Sequence, residues 1–344
     1  WVILVRTLSR TSSRFLGLPI MIFEFATSLR NYFDKSICVL SRPISVPRVG
    51  AYHGHTDIEA NAFDVAEVET ILEKYLLFTP GPVNVAETLR QAICKEDICH
   101  REPDFDSLLA RIEQKLLSLF QVRNRNSYRA VVITGSGTAA NEAILSSAVG
   151  EGEILILSNG EFGERLHRMS SIHNKKTHLL EQPWGRPFDL DQIAGYLTAH
   201  KIGVVAMVHH ETCSGMLNPL AEIGALAKIH GAIFVVDGVS SVGAEMVDME
   251  ACNIAFCSSS SSKAIGSYPG LSFVIGRKEQ FEKLKGHAAK TTYLNLATFY
   301  AFLIGHSQTP NTPAVPLFFA LDQALTNILA EGIITRYARI RARA

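Results

Sequence analysis

The chain has 344 residues, 47% hydrophobic and 19% charged, which supplies apolar material for a large core and excludes a disordered protein. Lys plus Arg and Asp plus Glu stand at 33 each, so neither a basic excess for nucleic acid nor an acidic, solvating tail is present. Six cysteines without a CxxC pair are too few for a disulfide scaffold and read as thiols of a reducing compartment. No apolar run reaches the roughly 18 residues of a spanning helix, so no membrane partner is expected.

Residues 1–70 read as an N-terminal extension. Arg6, Arg10 and Arg14 stand among Ser9, Ser12 and Ser13 with no acid before Glu24. That composition suits an organelle-targeting segment, a poorly ordered extension or the remnant of an upstream domain, which leaves the location between cytoplasm and mitochondrion. The chain starts at Trp1, so the native N-terminus is expected upstream. Acids dominate from Tyr52 to Thr70, as in a linker or surface helix.

From Tyr75 onward short apolar runs alternate with helical patterns. Strands are expected at 130–134, 154–158, 177–180, 204–208, 233–237, 254–257 and 272–275. They are apolar nearly throughout, as strands covered on both faces are. Helices are expected at 138–149, 163–172, 190–199 and 219–230, the last closed by Gly231. This alternation predicts an α/β fold with a mostly parallel seven-stranded sheet and helices on both faces. In such sheets ligands bind beyond the carboxyl ends of the strands, where each chemical motif falls.

Gly135-Ser136-Gly137-Thr138 follows one strand and opens an alanine-rich helix, so its backbone N–H groups and the helix dipole can cradle an anion. A nucleotide turn or a plain bend has the same shape, but no acid stands about 20 residues on to complete a dinucleotide fingerprint. Phe162, in Asn159-Gly160-Glu161-Phe162-Gly163, either stacks on a planar ring or packs in the core. His209-His210-Glu211-Thr212 ends another strand. Adjacent histidines in a strand face opposite ways and HExxH spacing is absent, so a polar pocket wall is expected there rather than a metal.

Asp237 closes Ile233-Phe234-Val235-Val236, where burial demands a cationic or donating partner. Alone it also reads as an N-cap or a metal ligand. Lys263 follows the serine run 258–262 and precedes Ala264-Ile265-Gly266, a small-residue loop. Alone it is also an ordinary surface lysine. An anion cradle, a strand-end carboxylate and such a lysine together are what pyridoxal phosphate needs. The cradle takes the phosphate, the carboxylate keeps the ring nitrogen protonated, and the lysine forms a Schiff base.

Ordered along the chain, further segments carry a resemblance. They are Leu77-Phe78-Thr79-Pro80-Gly81-Pro82, Asp97 to Pro103, Gly135–Ala140, Ser158-Asn159-Gly160, Gly215 to Pro219, Val236–Ser241 and Pro269–Ile275. With them the chain resembles the fold-type I enzymes of the class V aminotransferase family from about Tyr75 to Arg339. Lys285-Gly286-His287 and Tyr293-Leu294-Asn295-Leu296 resemble the phosphonate branch more than the alanine–glyoxylate and serine–pyruvate branches. The resemblance implies transamination of 2-aminoethylphosphonate with pyruvate, giving phosphonoacetaldehyde and alanine, in a homodimer with shared active sites. It implies a pyridoxal-phosphate-binding large domain at 75–315 and a connecting helix over 316–344.

Position by position, the resemblance places Ser136, Gly137 and Thr138 on the cofactor phosphate and Phe162 on the ring face. Glu211 and Thr212 fall at the ring edge, Asp237 on the ring nitrogen, Lys263 in the covalent link and Ser262 beside the phosphate. Thr312, in Thr309-Pro310-Asn311-Thr312-Pro313, falls on the phosphate of a second subunit. Two departures stand out. Ser262 replaces the usual Asn or Gln, which implies a weaker phosphate contact. The family also continues past the helix 316–339 into a small C-terminal domain that supplies a substrate-binding arginine. That domain is expected to be missing here, and Arg336, Arg339, Arg341 and Arg343 do not match its arginine. A truncated, non-catalytic paralogue therefore stands as an alternative to the enzyme.

Overall fold

Apolar runs buried on both faces dictate the centre of the molecule. In the computed structural model, which describes residues 77–343 apart from 151 and 175, nine strands form, seven of them in one sheet. They are β1 Tyr128–Thr134, β2 Glu153–Ser158, β3 Thr177–Glu181, β4 Ile202–Val208, β7 Ile233–Asp237, β8 Ile254–Ser260 and β9 Leu271–Arg277. The remaining pair, β5 His210–Glu211 and β6 Met216–Leu217, makes a small hairpin. The expectations for residues 1–70 lie outside the described residues.

The sheet order is β1-β9-β8-β7-β4-β2-β3. β9 runs antiparallel to both neighbours and the other ladders are parallel. Six strands therefore end at one edge, and β1, β2, β4, β7 and β8 each deliver a motif there. Ile154, Leu155, Ile156, Val205, Ala206 and Met207 are sealed from solvent. Such burial on both faces requires helices on each side, as βαβ crossovers supply.

The helices are α1 Glu87–Ala92, α2 Pro103–Leu119, α3 Gly137–Ala148, α4 Glu161–His173, α5 Leu190–Ala199, α6 Leu220–Ile229, α7 Lys278–Leu284, α8 Leu296–His306, α9 Val315–Glu331 and α10 Ile333–Arg341. Pro103 fixes the first turn of α2 and Asp104 and Asp106 complement its dipole. Its buried stripe Phe105, Leu108, Leu109, Ile112 and Leu116 packs on α9, with the rings of Phe105 and Phe318 5.2 Å apart.

Two sequence expectations need correction. The connecting helix expected over 316–339 is two helices meeting at 84°, because Gly332 sits at φ 84°, where a β-carbon would be strained. The serine run is not all loop, since β8 continues through Ser258, Ser259 and Ser260. Within it the Ser258 hydroxyl donates to Asn141, while those of Ser259 and Ser260 are buried without a partner. Among the described residues no single helix is long and apolar enough to cross a membrane.

Candidate active site

Asp237 is the last residue of β7 and only 5% exposed. Its Oδ1 accepts the Val239 N–H at 2.9 Å and its Oδ2 accepts Asn141 Nδ2 at 2.6 Å. Asn141 stands one turn into α3, and its own Oδ1 accepts the Ser258 hydroxyl, which fixes the orientation of the amide. Burial pushes the Asp237 carboxyl up to about 6, against the lowering pull of those two donors. No ion pair relieves it among the described residues. A buried carboxylate held by two donors and lacking a cation is built to receive one.

Above it opens a cleft walled by Thr138, Asn141, Phe162, Val208, His210, Val239 and Ser240. Phe162 hangs from the first turn of α4, with the Arg165 guanidinium over its ring at 4.8 Å. Arg165 also lines the cleft.

Lys263 lies in the turn after β8, half-buried, with its side chain against Gly81. A β-carbon on Gly81 would stand 2.3 Å from Lys263 Cδ and 2.9 Å from Nζ. Burial lowers the Lys263 ammonium below its ordinary range. The Asp237 carboxylate opposes that shift and the Arg165 cation adds to it, so all three share one electrostatic field. A lysine eased toward its neutral amine is the better nucleophile for it.

At the mouth of α3, Gly137 is packed so that an added β-carbon would come within 2.6 Å of Val239 and 3.4 Å of Ser260 Cβ. Ser136 is the N-cap residue of α3, yet its hydroxyl caps nothing. Ser136 and Thr138 are both exposed at the rim. The helix end therefore presents free donors and two hydroxyls to an incoming anion.

The structure thus brings Ser136, Gly137 and Thr138 to one helix end, and Phe162, Asp237 and Lys263 to the cleft or its electrostatic field. Others fall elsewhere. Glu211 does not line the ring edge. It is sealed in, and its carboxylate accepts the Phe162 N–H at 3.3 Å, the Gly163 N–H at 3.1 Å and the Cys213 thiol at 3.1 Å. An anion at a helix N-terminus answers the dipole and the unpaired donors there, and this draws the side chain away from the cleft. Thr212 shares a 2.6 Å hydrogen bond with Ser240, a cleft residue, and so reaches the pocket through it. Ser262 is half-buried in the turn with no hydrogen bond recorded. Thr312 is exposed in the turn before α9 and does not line the cleft of its own chain.

Ser260, rather than Ser262, packs beside Gly137 at the mouth of α3. Alternation along β8 puts Ser258 and Ser260 on the face toward α3, where Ser258 meets Asn141 and Ser260 meets Gly137. Ser261 turns the other way and donates to the carbonyl of Leu271 at 2.9 Å. The Ser260 hydroxyl is buried without a partner. Two-residue periodicity through the serine run points to it once β8 is known to continue. Asn141 carries the weaker signal of standing four residues after Gly137, on the same helix face.

His210 lines the cleft while His209 is buried behind it. Burial lowers the His209 imidazole to about 4, with His210 adding to the effect, so it is neutral.

Residues 92–342 match the family model described as Aminotransferase class-V. A 2-aminoethylphosphonate–pyruvate transaminase of Salmonella typhimurium is 34% identical over 270 residues, 77% of this chain and 72% of that protein. A bifunctional phosphonoacetaldehyde hydrolase/aminoethylphosphonate transaminase of Clostridioides difficile is 33% identical over 270 residues, and the chain spans 42% of its length. Among solved structures, an alanine–glyoxylate aminotransferase from Nostoc sp. superposes with a TM-score of 0.73 at 27% identity, over 89% of this chain and 75% of that one.

Proposed function

The chain belongs to the class-V aminotransferases, and from that premise we propose that it exchanges an amino group between 2-aminoethylphosphonate and pyruvate, with pyridoxal phosphate as its cofactor. The observation that carries this reading is that Asp237 and the turn holding Lys263 leave the ends of the paired strands β7 and β8, beside the α3 anion cradle.

The residues fit the cofactor. A buried, unpartnered Ser260 hydroxyl stands at the helix mouth where a phosphate would sit, and a buried carboxylate without an ion pair lines the cleft. Bound there, pyridoxal phosphate supplies an aldehyde for amine capture and an electron sink for the carbon losing its proton. The α3 N-terminus, with Ser136, Thr138 and Ser260, would hold the phosphate. Phe162 and Val239 would close on the ring faces, and Asp237 would keep the ring nitrogen protonated. The Lys263 amine, once free, takes a proton at one position of the bound substrate and returns it at another.

Gly81 keeps the path of Lys263 open. Gly81→Ala is expected to weaken pyridoxal phosphate binding by about 1–3 kcal/mol, the usual cost of overpacking. Titration of the visible absorption band measures it, and an unchanged affinity would show that Lys263 has another route.

The substrate assignment rests on the named relatives, and on this chain the exchange would give phosphonoacetaldehyde and alanine. A second reading, alanine–glyoxylate exchange, is favoured by the extent of the Nostoc superposition. Competition decides between them. With pyruvate as acceptor, 2-aminoethylphosphonate should be consumed in preference to serine. Preference for alanine with glyoxylate would establish the second reading. We propose further that two copies assemble, each offering its exposed Thr312 to the other's cradle.

A further inference from the structure

Arg336, on α10, joins the two loops that carry the chemistry. Its Nε donates to the Gly243 carbonyl at 2.8 Å and its Nη2 to the Ala264 carbonyl at 2.5 Å, while Nη1 meets Glu331 at 3.0 Å. Gly243 ends the loop that leaves Asp237, a loop closed by the Val242 N–H on the Gly238 carbonyl at 2.9 Å. Ala264 directly follows Lys263, in a turn closed by the Gly266 N–H on the Lys263 carbonyl at 2.9 Å. The loops touch where the guanidinium lies, since a β-carbon on Gly243 would be 3.2 Å from Ile265 and 3.4 Å from Ala264.

The Arg336 side chain is 15% exposed, so these bonds are sheltered from water. A planar guanidinium can satisfy three acceptors at fixed angles, which an ammonium cannot. Glu331 holds the guanidinium in place from α9, and Arg339 and Arg336 together keep that carboxyl down at about 2. Arg339 binds the same carboxylate, at 2.5 Å and 3.0 Å, and among the described residues it bonds to neither loop.

We propose that Arg336 is a positioning residue for Lys263: by fixing the Ala264 carbonyl against the loop of Asp237, it sets where the lysine amine stands relative to the ring site. Transfer chemistry is steep in distance, and a misplacement of about 1 Å costs about 10²-fold. The inference rests on the pyridoxal phosphate reading above.

Four proteins test it: the native chain, Arg336→Lys, Arg336→Gln and Arg339→Ala. Each is titrated with pyridoxal phosphate at several pH values, with the visible band, the cofactor release rate and the melting temperature recorded. Arg336→Gln should lose about tenfold or more in cofactor affinity, as for a lost charged hydrogen bond, and shift the pH midpoint of the band. Arg336→Lys should fall between, because an ammonium matches fewer of the three acceptors; if Arg336→Gln does not fold, this variant decides. Arg339→Ala should lower the melting temperature and leave band and release rate alone. Native midpoints and release rates in Arg336→Lys and Arg336→Gln, with only the melting temperature reduced, would overturn the proposal. A native chain that develops no band would overturn the cofactor reading instead.

Discussion

Replacing Lys263 by alanine is expected to abolish the visible band on adding pyridoxal phosphate and to reduce turnover by about 10²–10⁴-fold or more, the range for loss of a positioned proton carrier. In the proposed reaction Lys263 has two tasks, capture of the aldehyde and proton transfer, and no other lysine among the described residues lines the cleft to take over either. Arg165 shares the field, but a delocalised guanidinium cannot form the imine that a primary amine forms. The cradle at α3 and the Asp237 pocket remain in the variant, so cofactor still binds without covalent attachment. Spectrophotometry combined with equilibrium dialysis separates the two states. A Lys263→Ala protein that keeps the native band would place the covalent chemistry on another amine and remove the basis of the proposed reaction.

The second large effect lies at Asp237, where stability and function should move in opposite directions. Its carboxyl is raised from an ordinary 3.8 to about 6 by burial, so ionising it costs the cofactor-free fold about 3 kcal/mol. In the unfolded chain the group ionises near its ordinary value. The penalty is therefore absent below about pH 4, grows between the two values, and is complete above pH 6. Asp237→Asn removes it. The Asn141 amide can turn over to accept from the new asparagine, with the Ser258 hydroxyl accepting in return.

Cofactor-free Asp237→Asn is thus expected to melt higher than the native chain at pH 8 and equally at pH 4. Its affinity for pyridoxal phosphate should fall by about 3–5 kcal/mol, the usual cost of stripping one partner from a buried ion pair. Calorimetry at the two pH values, with and without cofactor, reads both effects. Equal melting at pH 8 would mean that water or a cation already relieves Asp237.

Much of this architecture is written in local pattern. Ile233–Asp237 and Leu190–Ala199 stand where the apolar periodicity puts them, because strands buried on both faces and amphipathic helices leave different marks. The direction of β9 leaves no such mark, since a short buried strand reads the same both ways. α8 is also hidden, because its apolar run from Leu296 lacks a clear polar face.

Within the site, Gly135–Thr138, Asp237 and Lys263 are visible as residue types in telling places. What local pattern cannot supply is side-chain direction. Glu211 sits at a strand end like Asp237, and only the approach of α4 decides that its carboxylate turns to a helix rather than to the cleft. Asn141 is one polar residue in a helix until folding brings Asp237, 96 positions away, to its amide.

The Glu211 bond to α4 has a consequence for redesign. The aromatic wall is suspended from a hairpin whose ladder pairs His210 with Leu217 and Glu211 with Met216. The tip is tied to the same residue, because the Ser214 N–H and hydroxyl both donate to the Glu211 carbonyl, at 3.2 Å and 3.4 Å, and the Cys213 thiol donates to its carboxylate. Slipping the hairpin by one residue would put His210 or Thr212 where the Glu211 carboxylate meets the helix end and let the wall drift, so this short ribbon should tolerate neither lengthening at its crown nor a change of phase.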